Sequence, residues 1–296
     1  MHERHFTSLH ILKESEKTIR QRMMSSELDL NHFERSTVED HIALIIKQIY
    51  NSSLLRERFC LKGSVRFENH DNTLSSKREM KKNMQHLSIS ERRRSPRLLT
   101  QLAKPSESFA SKSMTEAIIE AAKATRPRAD QFCMYNIFSE IENTKYRIVA
   151  FIIEYKASHK LHLDCIYEGL KDMNLKKMVR CNEIDGSQDH FRRLIVAAIT
   201  QAFFYMVRAE LKYEYICIDE AFIFLRVLDN PETVYYFLFV PEDDVGETTG
   251  MTSNANEQNR LHLTAMKQVL TFTLQALKRS PRSQCWQINA MTRLKI

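Results

Sequence analysis

Val38, Ile42, Ile45, Ile46 and Ile49 recur at helical spacing, so the segment after Ser36 reads as an amphipathic helix. Ser36-Thr37-Val38-Glu39 has the form of a capping box, with Ser36 at the cap and Glu39 three residues on. The helix is expected to end near Asn51-Ser52-Ser53. Residues 1–35 are polar and mixed and read as one helix with a frayed tail, and 66–74 as a short turn-rich stretch. A second capping box, Ser113-Met114-Thr115-Glu116, opens a helix with Met114, Ala117, Ile118, Ala121 and Ala122 on one face. Arg126-Pro127-Arg128 ends it. The period then changes. Residues 130–136 and 146–156 read as strands, and the second is apolar at every position from Ile148 to Ile153. An uninterrupted apolar run implies a strand covered on both faces. A helix over 164–172 and a polar loop through Asp185-Gly186 follow. The long helix 188–212 carries Phe191, Leu194, Ile195, Ala198 and Ala202 as its buried stripe. Three strands (213–218, 221–227, 234–240), a loop over 241–257 and an amphipathic helix over 261–277 complete the chain.

This order gives a mixed α/β (α+β) class, a helix-flanked sheet with a helical N-terminal extension. The expected division is a helical extension over 1–74, a basic, unstructured linker over 75–111, and a folded core with a C-terminal helix over 112–296. Charge supports the linker. The 296 residues carry a net charge of +7, and 1–110 hold 20 basic against 14 acidic residues, so nearly all of the excess lies there. Within 75–104 there are 9 basic and 2 acidic residues, including Lys77-Arg78, Lys81-Lys82 and Arg92-Arg93-Arg94, with few apolar positions to bury. Such a block suits an acidic partner, DNA or RNA, or a nuclear import receptor reading a two-part localisation signal; its plainer reading is a solvated linker.

Composition removes several functions. With five glycines, at 63, 169, 186, 246 and 250, no phosphate-cradling glycine loop can be assembled. The six cysteines form no C-x-x-C pair, which points to reduced thiols and no zinc knuckle. No apolar leader or membrane-length segment is evident, so an intracellular protein without membrane contact is expected, with the nucleus as one location.

The chemistry-bearing residues cluster around one strand. Glu154 and Lys156 lie two apart and so share a face, at the end of an otherwise apolar strand where charges are costly unless used or satisfied. Asp130 begins the preceding strand and converges on Glu154 if the two strands pair. Two carboxylates beside a lysine suit Mg²⁺ or Mn²⁺ and the hydrolysis of a phosphodiester, with the lysine orienting water or offsetting developing charge. Of the acidic residues on the preceding helix, Glu116 serves as the capping residue and Glu120 is the candidate for completing the site. Gln201 and Tyr205, one helical turn apart, are available to flank it. Lys160, in His159-Lys160-Leu161-His162, is placed to contact phosphate; His159, His162 and Asp164 also have a metal-like spacing, though ordinary polar side chains facing water are the simpler reading. Cys165, Trp286 and Tyr235-Tyr236-Phe237 read as packing residues.

Asp130 with Glu154-Tyr155-Lys156 resembles the D…(D/E)-x-K signature of the PD-(D/E)XK, or restriction-endonuclease-like, nuclease superfamily. Gln201-Ala202-Phe203-Phe204-Tyr205 and the two strands after it resemble the family's downstream Gln-x-x-x-Tyr helix and strand. The family core is a helix, three strands, a helix and a strand, a match over about 113–227. The resemblance implies a mixed sheet flanked by helices, metal held by Asp130 and Glu154, catalysis supported by Lys156, assistance from Glu120, phosphate attraction from Arg92, Arg93 and Arg94, and frequent pairing into homodimers. Two departures stand out: Ala129 replaces the family proline, and the short 126–128 connection leaves one family strand unplaced. The stretch from about 36 to 286 also resembles fungal proteins of unassigned role, through Phe67-Glu68-Asn69-His70-Asp71-Asn72-Thr73-Leu74, Ala129-Asp130-Gln131-Phe132-Cys133, Ile153-Glu154-Tyr155-Lys156-Ala157 and Glu220-Ala221-Phe222-Ile223-Phe224-Leu225. Some of those continue into a kinase-like domain; the sequence to Ile296 shows none. The competing expectation keeps the fold without catalysis, as a module that binds nucleic acid or protein; the near balance of charge in 111–296, 24 basic to 23 acidic, fits it.

Overall fold

The computed structural model describes residues 25–69, 129–139, 144–174, 187–245 and 260–294. Helix α1 (Glu27–Glu34) runs through a π-helical turn (Arg35–Glu39) into α2 (Asp40–Asn51), and α3 (Ser53–Phe59) follows. Then come β1 (Gly63–Glu68), β2 (Gln131–Ser139), β3 (Thr144–Tyr155), α4 (Leu163–Gly169), α5 (Ser187–Arg208), β4 (Tyr213–Cys217), β5 (Phe222–Val227) and β6 (Val234–Phe239). A short α6 (Pro241–Val245), a 3₁₀ turn (Leu261–Leu263), α7 (Ala265–Leu277) and α8 (Gln284–Leu294) end the chain. No helix among the described residues is long and apolar enough to cross a membrane.

The six strands form one mixed sheet in chain order. β3 and β4 are parallel, and every other neighbouring pair is antiparallel. A parallel pair needs a long crossover, and the segment containing α4 and α5 supplies it. The apolar run in β3 is explained by its interior position: Phe151, Ile152, Ile153 and Tyr155 are fully buried.

Alternation along β3 and β4 sends Phe151, Ile153, Tyr155, Tyr213, Tyr215 and Cys217 to one face, where they join Leu30, Val38, Ile42 and Ile46 and helix α7 in one core. Phe272 of α7 is its centre, with ring centroids 5.2 Å from Phe151, 5.5 Å from Tyr213 and 4.9 Å from Phe224. The other face carries Ile152, Glu154, Glu214 and Ile216 beneath α5. Gly169 lets α4 approach α5 closely, since a Cβ there would meet Ile195 Cγ1 at 3.1 Å. Arg282 anchors the C-terminal end: it is buried, donates to the Val227 and Leu228 carbonyls, and stacks 3.8 Å from the Trp286 ring centroid.

The first face also buries acid. Asn31 Nδ2 donates to Gln131 Oε1 (2.6 Å), Gln131 Nε2 donates to Glu39 Oε2, and the Tyr155 hydroxyl donates to Glu39 Oε1 (2.6 Å). Glu34 is 2% exposed and its Oε1 has no partner. Burial pushes Glu39 up to about 7 against its hydrogen bonds. Burial, and then the charge of Glu39, holds Glu34 well above the usual carboxylate range. Both groups bind their protons more tightly folded than unfolded, so the stability present below the usual carboxylate range is lost as pH rises from about 4.5, for Glu39 until about 7. Thermal melts between about pH 5 and pH 7 should therefore show a falling midpoint, and Glu34→Gln should flatten the curve and raise the midpoint at its upper end. A flat wild-type curve, or a Glu34→Gln curve superposed on the wild type, would exclude this coupling.

Several expectations change. Ser36 does not cap a helix, because its hydroxyl donates to the Phe33 carbonyl inside a continuous helical segment; the cap is Ser26, whose side chain accepts from the Asp29 N–H. Part of the 66–74 stretch read as turn-rich is strand β1, hydrogen-bonded to β2, so the sheet begins within the segment read as a helical extension. The loop expected after 240 opens with α6, and α8 follows the expected last helix. Tyr235, Tyr236 and Phe237 are exposed rather than packed away. The expected 113–122 helix, Glu120, and the basic block with Arg92, Arg93 and Arg94 lie outside the described residues.

Candidate active site

β2 pairs with β3 so that Gln131 faces Ile153, and one further step puts Asp130 level with the end of β3. Asp130 Oδ2 accepts the Tyr155 N–H at 2.9 Å, which fixes its carboxylate there. A bulge at Ala150, where the β2–β3 register shifts, precedes this end of the strand; bulges commonly re-aim side chains beside functional sites. On the other side, Lys156 N–H donates to the Cys217 carbonyl at 2.9 Å and extends the parallel β3–β4 pairing by one residue. Asp130, Glu154 and Lys156 are therefore gathered at the carboxyl end of two parallel strands, the edge where open α/β sheets place ligands.

Glu154 is the centre of this group. It is 2% exposed. Its Oε2 accepts from Lys156 Nζ at 3.2 Å and from Gln201 Nε2 at 3.0 Å. Gln201 Nε2 also lies 3.1 Å from the Tyr205 hydroxyl, so the glutamine and tyrosine of α5 cover the carboxylate as their helical spacing suggested. Glu154 Oε1 is buried and has no protein partner. Burial first, and then the negative charge of Asp130, pushes the Glu154 carboxyl up to about 8, opposed by Lys156 and by the nearby Asp130 backbone N–H. Burial also raises Asp130, opposed by the Tyr155 N–H and by Lys156. A divalent cation would reverse both shifts, because it favours ionised oxygen ligands.

Two acidic residues join the site that sequence reasoning missed. Glu214 of β4 sits opposite Ile152, on the face that carries Glu154, fully buried with both oxygens unpartnered. Burial, and then Glu154, holds its carboxyl well above the ordinary range. A carboxylate inside a five-residue strand otherwise composed of Tyr, Ile and Cys was its signal in the sequence. Glu27, in the first turn of α1, pairs with Lys160 at 3.0 Å and adds negative charge near Asp130; nothing in its sequence context marked it. Lys160 is exposed at the rim. Among the described residues no group of three or more His, Cys, Asp or Glu side chains is arranged to hold a metal, and this includes the His159, His162 and Asp164 spacing. Cys165 is buried, as expected of a packing thiol.

Comparison with known proteins adds the family. The family model for the Spore killer 2 N-terminal domain matches residues 137–290, a span that holds Glu154, Lys156, Gln201 and Glu214. The meiotic driver SPOK2 of Podospora anserina is 31% identical over 140 residues, which cover 44% of this chain and 17% of that relative. The chain thus spans only a small part of the length of that relative. No solved structure matches. With its family model covering more than half of the residues, the chain belongs to the Spore killer 2 N-terminal domain family.

Proposed function

We propose that this chain carries a metal-dependent phosphodiester-cleaving site of the PD-(D/E)XK kind, acting on DNA or RNA. The observation that carries the proposal is the buried, partnerless Oε1 of Glu154, held beside Asp130 and Lys156 at one strand end. The element order supports it. Helix α2, strands β1 to β3, helix α5 and strand β4 would serve as the helix, three strands, helix and strand of that superfamily. In this reading the strand that the sequence left unplaced would be β1, which is separated from β2 by the long stretch after residue 69.

The residues fit Mg²⁺ or Mn²⁺ held by Asp130 and Glu154. Mg²⁺ is commonly bound by one or two carboxylates, with waters and substrate phosphates completing its shell, so a protein group of three ligands is not required. Bound there, the ion would polarise the phosphodiester and make water a stronger nucleophile. The chain's own contribution is positional and electrostatic. Tyr155 N–H fixes Asp130, and Gln201 holds Glu154 Oε2. Lys156 places a positive charge 3.2 Å from Glu154 Oε2, where it is available to orient water or offset charge building on phosphate. Lys160, at the rim of the site, would attract the nucleic-acid backbone, and the basic Arg92-Arg93-Arg94 run would add salt-sensitive affinity for phosphate. Within a family named for spore killing, with a relative named as a meiotic driver, cutting nucleic acid is a chemistry that would harm a cell, and we place this domain in meiotic drive on that basis.

The test is incubation of the full chain with single- and double-stranded DNA and RNA in Mg²⁺, Mn²⁺ or chelator. Cleavage of at least one substrate with metal and none with chelator is expected. A folded protein that cuts nothing would overturn the proposal in favour of a non-catalytic binding module.

A further inference from the structure

Strand β6 closes the sheet, and no strand among the described residues pairs with its outer side. Its sequence, Val-Tyr-Tyr-Phe-Leu-Phe, contains neither the lysine nor the proline that usually blunts an open edge. Tyr235 and Phe237 are 51% and 54% exposed, and Tyr236 is held by a hydrogen bond to the Leu170 carbonyl at 3.3 Å. Phe237 stacks on Phe224 with centroids 6.2 Å apart, which keeps its ring upright on the sheet. The edge therefore offers unpaired backbone groups and a rigid aromatic surface, the two components that recognise an added strand.

Charge selects the occupant. Four exposed acids, Glu232, Glu242, Asp243 and Asp244, flank the strand, and the single basic residue of 213–245, Arg226, pairs across from Tyr235 and lies over the Tyr213 ring at 5.8 Å. Asp229, before β6, is already paired with Arg282 at 3.3 Å, so Glu232, Glu242, Asp243 and Asp244 are the acids left to meet a partner. Two such edges would repel one another, which disfavours a second copy of the chain, and a nucleic acid would be repelled in the same way. An extended arginine- or lysine-rich segment is complementary: its backbone continues the ladder, and its cations meet the acids and the tyrosine and phenylalanine faces. We infer that β6 is a docking strand for a basic, extended segment of another protein, taken on as a seventh strand of the sheet. This inference is independent of any reaction at Glu154.

The test uses the full chain and a fluorescein-labelled peptide of alternating arginine and valine, followed by anisotropy. Three controls accompany it: the same peptide N-methylated at alternate residues, an alternating glutamate–valine peptide, and a Tyr235→Ser chain. Saturable binding of the arginine peptide is expected. About tenfold weaker binding is expected for the methylated peptide and for Tyr235→Ser, and none for the glutamate peptide. Asp243→Lys with Asp244→Lys should weaken binding at low salt more than at high salt. Equal binding of the methylated and unmethylated peptides would reduce the effect to charge attraction and overturn the docking strand. So would no binding at all, or dimerisation of the free chain that Tyr235→Ser abolishes.

Discussion

Lys156→Ala should lower the cleavage rate about a thousandfold, the size of effect seen when a single charge-stabilising group is removed from an active site. Glu154→Gln should do at least as much, because it removes the carboxylate at the centre of the site while keeping its volume. Gln201→Ala should cost less, about tenfold, since the glutamine touches only Glu154 Oε2 and the Tyr205 hydroxyl. Single-turnover rates on the substrate that the wild type cuts best would separate the three. The ranking follows from their contacts: Lys156 and Glu154 face the reacting phosphate in the proposed reaction, whereas Gln201 acts through Glu154. A Lys156→Ala rate within about twofold of wild type would remove Lys156 from the chemistry, since such a change is under half a kcal/mol.

Gly63→Ala should be the most damaging small substitution in the fold. Gly63 pairs with Ile137 across β1 and β2, and a Cβ at residue 63 would overlap the Asn136 carbonyl oxygen and crowd the backbone of residues 136 and 137. Backbone cannot swing aside as a flexible side chain can, so the pairing must spread or break. A loss of about 3 kcal/mol or more is expected, a large part of an ordinary domain's total stability. Gly169→Ala is the control, because the new methyl would meet Ile195 Cγ1 and the Phe191 backbone at 3.1 to 3.2 Å, a tight fit with room to relax; about 1 kcal/mol is expected there. Urea midpoints measure both. A Gly63→Ala protein within about 0.5 kcal/mol of wild type would mean that β1 does not hold the sheet as described.

What the sequence revealed depended on how local each signal was. The unbroken run from Ile148 to Ile153 marked an interior strand, and β3 is interior. Asp130, Glu154 and Lys156 could be joined because β2 and β3 are consecutive strands whose pairing follows from adjacency. Gln201 and Tyr205 were found through helical spacing alone. Strand β1 was missed although Val65 and Phe67 alternate with polar residues, because it is short and its partner, β2, begins at Gln131 after a long intervening stretch. The burial of Glu34 and Glu39 was invisible: Glu39 read as a capping residue at a helix start, and only the packed structure shows that this side of the helix is covered. The same limit explains β6. Apolar residues predict a strand but not whether a further strand lies beside it, so Tyr235 and Phe237 read as packed when, among the described residues, no strand pairs beyond β6. Glu214 was the readable signal left unused, a carboxylate with no solvent-facing side in a strand buried at every position.

The proposed divalent-metal site of Asp130 and Glu154 is tested by titration calorimetry of the full chain with Mn²⁺, without reference to any substrate. Saturable binding is expected, with proton release, because Glu154 must give up a proton held up to about 8. The affinity should rise as pH approaches that value. Asp130→Asn and Glu154→Gln should each abolish binding, while Glu232→Gln, on the surface before β6, should leave it unchanged. Absence of saturable binding by a folded wild type, or binding that survives both substitutions, would contradict the site.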